Sequence, residues 1–287
     1  MINKNLIKFN NKQIEKIVKE LMNKGYARLG QIISKKYTKE LLKRTHDLMM
    51  GKIKYKNMFF KLDDPSGNYF NIKHEDVKNE FFSGPSVRYK KIKDLEYEKK
   101  FFKLIKCNLF KELTNKIIGK NVSSMRAMIL NKSYINSSIL PFHQDVSEKW
   151  PMTGKPSFTI WLSLNGANKN NGCLKVVENS HKHSVIGDGN NLLNKKLIKK
   201  FLNKKNIKYL KCKPGEAVMF SNYTLHGSDK NKTKNNRVAF TVCFMDSKIK
   251  HKISKKSYPK IFGKKSLTFK YISKLKSVPT KVYELNN

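Results

Sequence analysis

Arginine is nearly missing from this basic chain. Of 61 basic residues in 287, five are arginine (28, 44, 88, 126 and 237), so lysine carries almost all of the +40 formal net charge. Arginine is the residue suited to bidentate phosphate and base contacts, and the lysines are spread along the chain without a basic arm. Alanine is scarce too, five against 30 asparagines. Lys and Asn use A/T-rich codons and Ala uses G/C-rich ones, so the charge reads as base composition written into a tolerant surface. No nucleic-acid partner and no membrane partner is expected, although the charge alone would invite both. The four cysteines (107, 173, 212, 243) are far apart with no CxxC pair, the pattern of free thiols in a reduced, cytoplasmic protein. The longest apolar-rich run, around 238–245, is far too short to span a bilayer. The opening residues show no apolar signal region, and a soluble protein is expected.

What is present suffices for a packed core: 39% hydrophobic and 11% aromatic residues. Apolar residues recur at helical spacing over 11–24, from Thr38 to Met49, and from Leu95 to Ile118. From about 122 the period shortens. Met125 to Leu130, Phe158 to Leu164, Cys173 to Val177, Glu216 to Phe220 and Val238 to Phe244 are short apolar segments separated by Asn-Gly and Pro-Gly turns. Helices gathered at the N-terminal side of such strands predict an α+β, mainly β fold: a double-stranded β-helix jelly roll with N-terminal helices on one sheet. A lysine-rich helical insertion is expected over about 190–207 and a weakly patterned basic tail over 248–287. No linker is evident, so 1–287 reads as a single domain with its core at about 11–246.

The residues that carry chemistry begin at Pro141-Phe142-His143-Gln144-Asp145. In an extended segment, residues two apart face the same way, so His143 and Asp145 can grip one ion. His226 would supply a second imidazole. Two histidines and one carboxylate with three positions open form the facial triad of non-haem Fe(II) sites. A second His-x-Asp, His74-Glu75-Asp76, has no strand context and reads as solvated surface. Eleven residues past His226, Arg237 opens a strand in which Val238, Phe240, Val242 and Phe244 share one face. Arg237, Ala239, Thr241 and Cys243 share the other. An arginine on a small-residue face points into space that a dicarboxylate would fill. A zinc hydrolase could also use two histidines and an aspartate, but it leaves Arg237 without a role.

The chain resembles the phytanoyl-CoA dioxygenase family of Fe(II)- and 2-oxoglutarate-dependent oxygenases. The resemblance runs through Leu140 to Asp145, Thr159 to Leu164, Asn171-Gly172-Cys173-Leu174, Glu178-Asn179-Ser180-His181 and the segment from Pro214 to Arg237, and covers about residues 11 to 246. It implies that His143, Asp145 and His226 ligate iron, that Arg237 holds the distal carboxylate of 2-oxoglutarate with Ser228 beside it, and that Trp161 lies close to this co-substrate. Arg88 and Met128 are further carry-overs to the co-substrate site. Where the family has a Pro-Gly-Ser-His turn this chain has Glu178-Asn179-Ser180-His181, and His181 and His183 are expected to be turn residues rather than ligands. The implied activity is hydroxylation of an unactivated C–H bond of a small molecule, consuming O2 and converting 2-oxoglutarate to succinate and CO2. Nucleic-acid-directed relatives resemble Arg-x5-Arg at the 2-oxoglutarate strand, and Cys243 stands here instead. A jelly-roll binding protein with a vestigial triad is the alternative of a different class. Gln144 to Lys155 and the 190–207 insertion are expected to form a lid, and a basic lid favours an anionic substrate.

Overall fold

The computed structural model describes residues 5–63, 81–135, 137–186, 193, 195–203 and 205–279. The His74 motif and the start of the 190–207 insertion lie outside the described residues.

The first helix, α1 (Asn11–Lys24), starts at Asn10, whose side chain accepts from the Gln13 N–H while Gln13 reaches back to the Asn10 N–H. That reciprocal cap satisfies two donors the first turn cannot pair. It ends at Gly25 with φ +84°, a left-handed conformation that costs glycine little. Ile14, Ile17 and Leu21 form its buried face. After β1 (Tyr26–Gln31) comes α2 (Lys35–Met49), capped by Ser34. The expected long helix from Leu95 to Ile118 is divided into a 3-10 turn (Leu95–Tyr97), α3 (Lys99–Ile105) and α4 (Asn108–Ile117). Glu98 caps α3 through the Lys100 and Phe101 N–H groups and pairs with Arg44, so a buried carboxylate sets the break.

The strands form two sheets. The larger runs β1-β9-β6-β11-β4-β3-β2, with β12 against β4, and the smaller runs β5-β10-β7-β8. Their ranges are β2 (Phe60–Leu62), β3 (Tyr89–Ile92), β4 (Val122–Lys132), β5 (Leu140–His143), β6 (Phe158–Ser163), β7 (Leu174–Val177), β8 (Ile207–Leu210), β9 (Glu216–Ser221), β10 (His226–Ser228), β11 (Arg237–Asp246) and β12 (Lys260–Phe262). All pairings within and between these strands are antiparallel. This is the double-stranded β-helix, with helices on one sheet as expected. The tail is more structured than its pattern suggests: β12 adds to the sheet, and, following α5 (Lys195–Phe201) of the insertion, α6 (Phe269–Lys274) puts Phe269 edge-on to Phe102 at 5.1 Å.

Strand β11 shows how the layers are sorted. Val238, Phe240, Val242 and Phe244 enter the large core under the helices, where Phe101 stacks on Phe240 at 5.1 Å and Phe110 meets Phe244 at 6.0 Å. The opposite face turns to the space between the sheets, where Ala239 packs with Trp161, Val218, Phe220, Leu174 and Val176. The four cysteines are buried and unbridged. No described helix is long and apolar enough to cross a membrane.

Candidate metal centre

His143 ends β5 and His226 begins β10, and the two are direct partners in the antiparallel register. Their rings lie 4.2 Å apart, and Phe220 of β9 packs on the His226 ring at 4.6 Å. The rings are held alike. His143 Nδ1 is 2.8 Å from the Pro141 carbonyl, and His226 Nδ1 is 2.9 Å from the Thr224 carbonyl. A carbonyl can only accept, so each Nδ1 carries the hydrogen and each Nε2 presents a lone pair. Asp145 sits two residues past the end of β5, with Oδ1 3.9 Å from His143 Nε2 and Oδ2 3.6 Å from His226 Nε2. The three donor atoms lie within 4.8 Å of one another. Cis donors on an ion with bonds near 2.1 Å are about 3 Å apart, so a small contraction would close the set on a metal.

The protonation states suit that role. Burial first, then the neighbouring His226, pushes the His143 imidazole down to about 3, and burial lowers His226 as well. Both rings are therefore neutral ligands near pH 7. Burial alone would raise the Asp145 carboxyl, but the Arg126 guanidinium and the two histidines outweigh it and hold it well below the usual carboxylate range. Arg126 forms a direct ion pair with Asp145 Oδ1.

The wall facing the triad is the inner face of the larger sheet, where register sets side chains in rows. Met128, Thr241 and Trp161 are partners across β4, β11 and β6. Arg126, Cys243 and Thr159 form the next row, and Lys132 pairs with Arg237 at the far end. Arg237 is 4% exposed, which decides its reading: a full charge sits here almost out of water. Its guanidinium stacks over Trp161 at 5.5 Å, Nη1 donates to the Leu130 carbonyl at 3.3 Å, and Nε has no partner. Burial lowers its pKa to about 10, which still leaves it charged. Ser228, buried, stands on β10 two residues beyond His226.

The structure thus brings together His143, Asp145 and His226, and joins Arg237 to Trp161 and Met128 on one wall. Arg88 is placed otherwise: it precedes β3 and donates to the Asp63 carbonyl at 3.4 Å. Lys91, three residues on, is the cation paired with Leu130 on the inner face. Burial and then its Lys93 and Arg126 neighbours push Lys91 down to about 7. Sequence reasoning missed Arg126 and Lys91. Gln144, expected in a lid, is instead buried, donating to the Ser184 and Tyr223 carbonyls and accepting from the Ile186 N–H. His181 and His183 fall in a 3-10 turn (Ser180–His183), as expected.

A jelly roll in which two histidines and an aspartate converge is a scaffold for a mononuclear metal site. Residues 21–239 match the phytanoyl-CoA dioxygenase (PhyH) family, and the chain belongs to that family. Among curated relatives, it is 28% identical over 168 residues to peroxisomal phytanoyl-CoA dioxygenase of Homo sapiens, covering 54% of this chain and 48% of that protein. It is 28% identical over 192 residues to phytanoyl-CoA dioxygenase 1 of Oryza sativa subsp. japonica, covering 56% and 62%. The matches therefore span about half the length of these relatives. Among solved structures, the epimerase SnoN, in complex with Fe3+, alpha ketoglutarate and nogalamycin RO, superposes with TM-score 0.63 at 13% identity, covering 84% of this chain and 87% of that one. EvdO2 of Micromonospora carbonacea var. aurantiaca, complexed with 2-oxoglutarate, gives TM-score 0.55 at 17% identity, covering 84% and 92%. These likenesses establish the shared fold.

Proposed function

We propose that this protein is an Fe(II)- and 2-oxoglutarate-dependent dioxygenase that hydroxylates an unactivated C–H bond of a small anionic molecule. The observation that carries the reading is the pairing of two sites. Three metal-ligating donors converge, and on the facing wall Arg237 is buried with Nε unpartnered. A buried guanidinium lacking a counter-charge is costly, and a dicarboxylate answers it bidentately. Family membership and the 2-oxoglutarate and iron named with the solved neighbours support the same cofactors.

His143, His226 and Asp145 would hold Fe(II). Bound there, the metal supplies the redox chemistry by which O2 oxidises 2-oxoglutarate to succinate and CO2 as a substrate C–H bond is hydroxylated. The chain's part is to fix and to exclude. The Pro141 and Thr224 carbonyls hold both imidazoles in the ligating tautomer. Arg237 would anchor the distal carboxylate, with Trp161 under its guanidinium and Met128 in the same row. The apolar cluster between the sheets keeps water off the inner wall.

The anionic substrate follows from charge. Iron and the 2-oxoglutarate dianion cancel, and Arg126 offsets Asp145. With Arg237 engaged by the distal carboxylate, the site as a whole keeps a net positive charge, and Lys91, protonated in part, is the cation on the inner wall that would draw a substrate anion.

Anaerobic addition of Fe(II) and 2-oxoglutarate should give the weak visible charge-transfer band of the chelate, and Arg237→Met should weaken it. Folded protein with no band would favour a binding module instead. Turnover of neutral compounds only, in a screen of matched neutral and anionic ones, would sink the anionic substrate.

A further inference from the structure

The Asp145 carboxylate faces the histidine pair with both oxygens, Oδ2 toward His226 and Oδ1 toward His143. Nothing in that pose alone makes it a single donor, since carboxylates bind metals through one oxygen or two. The difference matters at a facial triad. Three protein donors leave three positions, which a chelating keto acid and O2 fill. A second oxygen from Asp145 would remove one of them.

We infer that Arg126 is a positioning residue that keeps Asp145 a one-oxygen ligand by occupying Oδ1, so that a third exchangeable coordination position survives. This rests on the reading of the triad as a metal centre. Arg126 projects from β4, opposite Cys243 of β11, and pairs directly with Oδ1. The Asp145 main chain is fixed independently. Its N–H donates to the Asn222 carbonyl at 2.9 Å, and the Asn222 side chain is tied to Thr159 at 2.8 Å and to Cys243 at 3.0 Å. Removing Arg126 therefore frees the carboxylate to rotate while the residue stays in place. Because a cation beside the metal also repels it, losing Arg126 does not weaken metal binding.

Mn(II) tests this directly, because water-proton relaxation reports how many exchangeable waters the bound ion carries. The wild-type protein should hold Mn(II) with three. In Arg126→Met the relaxation enhancement should fall to about two-thirds, as two waters remain where three did, with Mn(II) affinity equal or tighter. Arg126→Lys keeps a cation for Oδ1 and should retain the wild-type enhancement. Binding of 2-oxoglutarate to the Mn(II) form should leave one exchangeable water in the wild type and in Arg126→Lys, and none in Arg126→Met. Unchanged hydration in a folded Arg126→Met, or loss of Mn(II) binding there, overturns the role given to Arg126. A wild-type chain that holds no Mn(II) overturns the metal-centre reading itself, and this inference with it.

Discussion

The two sheets of this molecule are built on opposite plans. The larger is a platform. Its β11 is buried over nine of its ten residues, one face locked under aromatic helices and the other carrying Arg237 in the interior. The smaller sheet has strands of three or four residues, and β5 is only partly buried along its length. Yet the smaller sheet holds the ligands, while the larger holds the cations. Ligand geometry does not need a large core. It needs a register that sets two histidines side by side and backbone carbonyls that choose their tautomer. Binding a dianion inside a protein needs cations kept out of water, and only the well-packed sheet can tolerate their burial.

Substitutions should separate these plans. Asp145→Ala should abolish turnover and metal binding while the fold is kept, since Asp145 belongs to neither sheet's apolar core, with the melting temperature lowered only by loss of the Arg126 ion pair. Full turnover in that variant would remove Asp145 from the centre. Phe240→Ala should do the reverse. Its side chain is wholly buried against Phe101, and truncations of this kind cost about 3–5 kcal/mol, read in urea unfolding. Metal affinity measured well below the transition should hold. If Phe240→Ala lost metal binding while still folded, the two sheets would not be separable.

Arg237→Met sits between these cases. The buried guanidinium has one hydrogen bond and an orphan Nε, so replacing it with an apolar side chain should leave stability equal or higher without 2-oxoglutarate. Affinity for 2-oxoglutarate should fall by about 2–5 kcal/mol, read by titrating the chelate band. A destabilised variant with unchanged affinity would make Arg237 structural. Gly227→Ala probes the smaller sheet. A Cβ there would stand 2.7 Å from the Leu140 carbonyl oxygen and 3.2 Å from that of Pro141, forcing β10 from β5 and His226 from His143. Metal affinity should drop by about 10–100-fold, with a smaller loss of stability. Unchanged affinity would show that the histidine pair does not depend on this strand contact.

Much of the platform was legible in the sequence because alternation is local. Bulky Val238 to Phe244 against small Ala239 to Cys243 placed Arg237 inward, and the register of Met128 and Trp161 with Thr241 agrees. The triad was legible because His143 and Asp145 lie two apart beside a strand, with His226 in a second one. Arg126 and Lys91 were not. Lysine carries no signal in this chain, and Lys91 stands among Lys90 and Lys93. What turns it inward is the pairing of β3 with β4, a contact across nearly forty residues that no window can read. The break between the 3-10 turn and α3 escaped for a similar reason, since the arginine that pairs with Glu98 there comes from the distant α2. Short elements of the tail, β12 and α6, hold too few residues to show a period.

The cations of the platform should also leave a mark on stability. Lys132 is buried beside Arg237, and its ammonium donates to the Ser138 carbonyl at 2.6 Å. Burial, and then Arg237, pushes its pKa from 10.5 down to about 7. Between pH 7 and 10 the unfolded chain therefore keeps a proton that the folded chain has released, so stability rises with pH there, by up to about 1.4 kcal/mol per unit for each such group. Lys91 adds in the same window. The buried thiols of Cys107 and Cys212, pushed up to about 12, act in the opposite sense only as pH passes the ordinary thiol range. Urea midpoints measured from pH 7 to 9 should thus climb in the wild type. Lys132→Met keeps the packing against Gly172, and should be more stable at pH 7 with roughly half the climb. A parallel climb in both proteins would mean that Lys132 stays protonated in the folded state, and that the platform holds its full charge at no pH-dependent cost.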